Sequence, residues 1–472
     1  MPDQTLLSLG ATLALAALAV VVAYVAARYV SRRVGMVGAG PLALLAATPI
    51  LPHATILGGL SFDDLLPLVG VAMLLLERET WVMLRRLPYS RVMAVGLILV
   101  VGAATASSLA HASDLSSFVG MLLRSAGRFS FLAIIAMTSA TALPAARRRT
   151  VVAIGLALMG TAEAAFGLVS FLVPLPYGFG LEFTRTHSVL YLKVPGRITG
   201  TLSISPDFLG ALFLFTIPMT IGLAIDAPDR RSKAAWWAAA LVQVLALALT
   251  FTRASLGLFL VLVVVLIAFR SRLVYLVPVA AIIGLVAALT PTLSRLTGDI
   301  PDRLALWSSA IRLMEDFPLL GAGPGRMLTV AATDPQRYSY TAFGFAGNSA
   351  HNTVLLAGAE FGVAGAVGVL LLNVGLALVA LRLLWAAQMR TRLVTSVEVA
   401  AALAMLAFLA QGMVNNLFTV AVTGTVAALV YGAVLLPEPV GESVPAGGQR
   451  PARESVRSSA VPGTRSNEAG AP

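Results

Sequence analysis

The stretch "NSAHNTVLLAGAEFGVAG" (348–365) sets a histidine and an asparagine at the mouth of a long apolar run. An imidazole ordinarily titrates near pH 6.5, so His351 offers a neutral base at neutral pH. Three arginines fall on the same side of the chain's topology, as derived below: Arg197 in "KVPGRITGT", Arg253 in "TFTRASLG" and Arg303 in "PDRLALW". Guanidinium forks match phosphate oxygens and stay charged at any relevant pH. A base beside a set of fixed cations points to proton removal next to a bound anion. Each residue also has a plainer use. The arginines can meet lipid headgroups or pair with Asp299, Asp302 and Glu315, and His351 can serve the helix entrance that Asn352 caps.

Glu360 follows His351 by nine positions. On a helix that puts it on roughly the opposite side, about 13 Å along the axis. It is therefore read as a structural anchor and not as a partner of the base. A second ionic set is read the same way: Arg124 and Arg128, one turn apart, face Glu163 of the next span. His53 and His111 fall in short turns, and His187 in a loop, "RTHSVLYLK". "GAGPGR" (321–326) lacks the Lys-Ser/Thr and the preceding strand of a phosphate loop, so its glycines are read as a tight turn.

The elements that must position these residues are membrane helices. Of 472 residues, 58% are hydrophobic and only 12% charged, more apolar surface than a soluble chain can hide. Apolar runs recur near 5–27, 39–57, 62–76, 92–110, 117–141, 151–173, 207–225, 234–251, 255–269, 273–290, 352–381, 397–414 and 418–436. Each is close to bilayer length, and none alternates as a strand would. The chain is thus expected to be an all-α polytopic bundle of about 12–13 transmembrane helices. The first run lacks a preceding basic region and is read as retained.

Connector charge sets the orientation. Arg28 to Arg33, Arg78 to Arg91, "ARRRT" (146–150), "DRRSK" (229–233), "FRSR" (269–272) and Arg382 to Arg392 are basic, and the connectors between them are poor in charge. The basic set is assigned to the cytoplasm, which leaves His351 and the three arginines outside the cytoplasmic membrane. The net charge of +11 reflects this asymmetry and no basic soluble domain, so nucleic acid is not an expected partner. With no cysteine, disulfides and thiolate metal sites are excluded, and no acidic or histidine cluster suggests another metal or a cofactor.

Within a bundle expected over 1–436, external loops are read at 174–206 and 291–350. The second holds an amphipathic helix whose Leu304, Trp307, Ile311 and Met314 recur at helical spacing, expected to lie along the membrane surface. Residues 437–472 are rich in Pro, Gly, Ser and Arg and read as a disordered cytoplasmic tail.

Arg303, Trp307, Pro318, Gly321, Gly323, Gly325, then His351, Asn352, Leu355, Glu360, Gly362 and Gly365 form a pattern that resembles the O-antigen ligase and polysaccharide polymerase superfamily. "GRITGTLSISPDFLGALFL" and "TFTRASLGLFL" resemble its upstream arginine segments, with Thr252 at a usual serine. The resemblance spans roughly 190–436. It implies a GT-C-like membrane glycosyltransferase, inverting and free of metal, whose donor is a glycan on undecaprenyl diphosphate. The acceptor would be a sugar hydroxyl on a glycan or lipid-linked glycan. Other polysaccharide assembly proteins would be its partners, besides membrane lipids. It implies His351 as the base, Arg253 and Arg303 as catalytic cations, and Arg197, Arg326, Asn352 and Trp307 as substrate contacts. A polymerase reading shares all these residues. A flippase would instead call for internal repeats and midplane polar sites, which the sequence lacks.

Overall fold

The computed structural model describes residues 55–57, 60–61, 91–141, 145–172, 198, 206–270, 299–338, 350–389, 394–419 and 421–436. Most of 1–90, all of 271–298, and 437–472, where the sequence reading places further spans and the tail, lie outside them. The chain divides into Met1–Pro437 and Glu438–Pro472, and the description below concerns the first unit.

That unit is an all-α membrane bundle. Its helices are α1 (Arg91–His111), α2 (Leu115–Leu122), α3 (Arg128–Thr141), α4 (Ala145–Leu172), α5 (Pro206–Asp226), α6 (Arg230–Leu249) and α7 (Arg253–Arg270). They continue with α8 (Asp299–Asp316), α9 (Met327–Ala331), α10 (Thr353–Phe361), α11 (Val363–Gln388), α12 (Ser396–Gly412) and α13 (Ala421–Val430). A five-residue π turn, Leu123–Gly127, joins α2 to α3, and a second, Tyr431–Leu435, follows α13. A minimal antiparallel hairpin pairs Thr55–Leu57 with Leu60–Ser61. Among the described residues, five helices are long and apolar enough to cross a membrane: α1, residues 148–169 of α4, α5, α6 and α11.

α5 is apolar on every side, and its burial follows from that: Leu209 to Thr220 are buried without a break. α4, α6 and α12 surround it. Phe215 of α5 meets Phe408 of α12 at 5.1 Å between ring centroids. Polar side chains inside this apolar core meet across helices. Gln243 Nε2 of α6 lies within hydrogen-bond distance of the Ala157 carbonyl (3.2 Å), Thr161 (3.0 Å) and Thr220 (3.0 Å), tying α4, α5 and α6 together.

The two ends of the bundle differ. At one end, Arg149 pairs with Glu398 at 3.3 Å, Arg148 donates to the Ala433 and Leu436 carbonyls, and Asp226 accepts the Ser396 N–H. The helices run antiparallel from there, so the starts of α5, α7 and α10 gather at the other end. Between the ends, an apolar cavity of about 230 Å³ lies among α1, α3, α11 and α13, lined by Met93, Leu97, Phe129, Leu132, Leu376 and Phe418.

α1 and α11 form the most extensive helix pair, and small residues let them approach. A Cβ added at Gly368 would sit 2.6 Å from the Val100 nitrogen and 2.8 Å from the Gly96 carbonyl. Gly368→Val should therefore destabilise the bundle by about 1–3 kcal/mol, the usual cost of overpacking. Gly102→Ala, whose Cβ meets open space, should not. Thermal unfolding of both variants in detergent checks this; equal melting curves would contradict the close approach.

Candidate functional site

The site is built on a turn, Gly412–Asn416, at the end of α12. Four of its carbonyls meet side chains from elsewhere. Asn352 Nδ2 donates to Met413 at 2.9 Å, and Thr353 Oγ1 lies 3.2 Å from both the Gly412 and the Asn415 carbonyl. Arg303 Nη1 donates to Val414 at 2.7 Å. The turn thereby fixes the first residues of α10 and the guanidinium of α8 against one another.

Asn352 is the N-cap of α10. Its Oδ1 accepts the Val354 and Leu355 N–H groups, each at 3.0 Å. Its Nδ2 donates to Met413, so the amide joins the start of α10 to the turn after α12. The residue before it must turn sharply, and His351 adopts φ 47°, in the left-handed region. The imidazole is hydrogen-bonded to Asn415 and feels the charges of Arg303 and Asp207. His351 precedes the helix and lies outside the membrane-spanning segments. Burial holds its pKa below the usual 6.5, and the Arg303 charge pushes the same way against Asn415 and Asp207. The ring is therefore neutral at neutral pH.

Asp207, in the first turn of α5, joins the third element. Thr252 Oγ1 lies 3.1 Å from the Pro206 carbonyl and 3.2 Å from Asp207 Oδ1. Arg253 is the next residue and opens α7. Gln411 then links the set, donating to Ser255 at 2.8 Å and reaching the Asp207 carbonyl at 3.4 Å. Three helix starts thus meet here, those of α5, α7 and α10. The positive ends of their dipoles favour an anion. Trp307 stands one turn after Arg303 on α8, and its buried indole N–H has no hydrogen-bond partner among the described residues.

The far end of α10 does something else. Glu360 is buried there, its carboxyl accepting the Gly325 N–H within the field of Arg128. The structure places Arg128 within the field of Glu360, Arg124 in the π turn, and Glu163 buried in α4. Arg326 caps α9, and its Cδ flanks Gly323 together with the His111 ring. So the structure brings together His351, Asn352 and Arg303, places Arg253 directly after the Thr252 that meets Asp207, and carries Trp307 on the same helix as Arg303. It sets Glu360 and Arg326 at the opposite end of α10. Arg197 lies outside the described residues.

Asp207, Gln411, Asn415 and the carbonyl of Val414 complete the site and were not singled out from sequence. "QGMVNN" (411–416), a polar cluster between two apolar runs, carries the signal.

Residues 232–370 match the family profile described as O-antigen ligase. The match covers Arg253, Arg303, Trp307, His351 and Glu360 and ends within α11. No curated protein matches the chain.

The electrostatics give a direct test. In a histidine-selective NMR titration, His351 should protonate with a midpoint below 6.5. Arg303→Gln removes a neighbouring positive charge and should raise that midpoint. A parent midpoint at or above 6.5 would contradict the account.

Proposed function

We propose that this chain, a membrane protein of the O-antigen ligase superfamily, transfers a glycan from undecaprenyl diphosphate to an acceptor sugar hydroxyl. The observation that carries the reading is the neutral His351 held beside Arg303, at the meeting point of three helix starts.

The acceptor hydroxyl loses its proton to His351 as its oxygen attacks the anomeric carbon. The bond from that carbon to the diphosphate oxygen breaks, and its electron pair leaves with the diphosphate. Arg303 and Arg253 stabilise the charge growing on the leaving group, aided by the helix starts. Attack opposite the departing diphosphate inverts the anomeric centre. The proton then passes from His351 to water. Asn352 acts as a positioning residue, since its amide caps α10 and ties it to the Met413 carbonyl. Trp307 offers its indole N–H to a substrate oxygen, and Arg197 assists at the glycan. The basic residues near Arg149 and Arg230 crowd the opposite end of the bundle, which supports a site on the external face. The cavity among α1, α3, α11 and α13 is lined almost wholly by apolar side chains, the chemistry a polyprenyl chain requires.

His351→Ala should lower kcat by about 10²–10⁴-fold, the usual contribution of a positioned base. Arg303→Ala should cost about 10²–10³-fold, as loss of one charge-stabilising donor does. Both should still extract in folded form, with Arg303→Ala melting somewhat lower because it loses its bond to Val414. Activity of the parent should fall on acidification with a midpoint below 6.5, following His351. The assay is transfer from a purified carrier-linked glycan in vitro; full activity of His351→Ala would overturn the assignment of the base. In a deletion strain, polymer left unattached on its carrier indicates a ligase, and single repeat units indicate a polymerase.

The cavity yields a separate expectation. Ala133→Trp fills its wall. It should raise KM for a long-chain prenyl donor and leave a farnesyl-linked donor unchanged; an equal effect on both would remove the cavity from the binding path.

A further inference from the structure

The turn that follows α8 reads Phe317-Pro318-Leu319-Leu320, an unusual composition for an exposed connection. Leu319 is 82% exposed, and Phe317 and Leu320 are about 40% and 37% exposed. The turn is not loose. Val363 donates its N–H to the Pro318 carbonyl at 2.8 Å, and Gly321 donates to Phe317 at 2.9 Å. Its apolar side chains are therefore held outward by backbone bonds and not by a core of their own.

What they face follows from α11. Val363, Val367, Leu370, Val374 and Leu378 are all exposed, spaced four, three, four and four apart, along a helix long enough to cross the membrane. Such a stripe faces lipid. It begins at Val363, the residue to which the turn is bonded. On the other side of the turn, Leu304 and Ile311 point out of α8 two helical turns apart. Asp316, immediately before Phe317, is taken up by Arg337 and Tyr338. A polar boundary thus closes directly above an apolar tip that continues a lipid-facing stripe.

We propose that Phe317–Leu320 is a membrane wedge, immersed among the acyl chains of the leaflet on the His351 side, which fixes the depth of α8. The occupant of this surface is lipid. The helix it holds carries Arg303 and Trp307, so the wedge sets the height at which those groups meet the interface. The inference rests on packing and exposure alone and stands whether or not the glycan-transfer reading does.

The chain has no cysteine, so a single Leu319→Cys variant can carry one nitroxide label. Labels at Val367 and Thr329 serve as lipid-facing and exposed references, Thr329 lying on α9. The full chain is reconstituted in phosphatidylcholine and phosphatidylglycerol nanodiscs. Collision with oxygen, which concentrates in acyl chains, is compared with collision with a water-soluble nickel chelate. The expected result is an oxygen-to-nickel ratio at Leu319 close to that at Val367 and several-fold above that at Thr329. A ratio equal to that at Thr329 would place the turn in water and overturn the proposal. Shielding from both reagents, as a covering protein surface gives, would overturn it as well.

Discussion

A reciprocal backbone contact between residues 318–323 and 359–363 holds the site together. Gly321, at φ 65°, lies so near α10 that a Cβ there would come within 2.3 Å of the Glu360 carbonyl carbon. Gly362, at φ 80°, lies as near the turn, and a Cβ there would come within 2.6 Å of the Pro318 and Leu319 oxygens. Across this seam, Ala322 donates to Ala359 at 2.7 Å, Gly323 to Glu360 at 3.2 Å, and Ser107 of α1 to Glu360 at 2.8 Å. The last carbonyls of a helix have no partner of their own. Here the strap after α8 supplies them. The same strap that ends α10 therefore also ties it to α8, and so ties His351 to Arg303 from behind.

From the front, the two are tied by polar bonds. The turn after α12 gives up its carbonyls to Arg303, Asn352 and Thr353, and Gln411 reaches across to α5 and α7. These groups are buried, so each unmade bond would cost about 1–3 kcal/mol. The network explains how arginines can be held beside a histidine at all. Arg303 is set by the Val414 carbonyl, and the imidazole is kept neutral first by burial and then by the Arg303 charge.

Much of this was legible in the sequence, and for identifiable reasons. His351, Arg303 and the spaced glycines stand out against an apolar background, and the family profile rests on that same stretch. The cap at Asn352 and the helix over 299–316 follow from local chemistry alone. Other features depend on tertiary placement. The run 352–381 reads as one continuous helix, because Gly362 in an apolar run looks like a packing residue; in the structure it is a break. Of the stripe Leu304, Trp307, Ile311 and Met314, Leu304 and Ile311 are exposed while Trp307 and Met314 are half-buried, and Leu306, Ala310 and Leu313 form the buried face of α8. Glu360 meets Arg128 and Gly325, a pairing that requires the strap to be folded first. Residues 411–414 of the polar turn fell within the run 397–414, since nothing local says that the turn's carbonyls will be used by α8 and α10.

The break at Gly362 also insulates phase. In an unbroken helix every residue's angular position depends on all those before it, about 100° per residue. Slippage or rotation of α11 in the bilayer would then turn His351 by the same angle. With the chain interrupted, α10 takes its rotation from the strap and the turn after α12, and α11 takes its own from lipid and α1. The membrane can change thickness or composition around the long helix without the imidazole losing its bearing on the arginine.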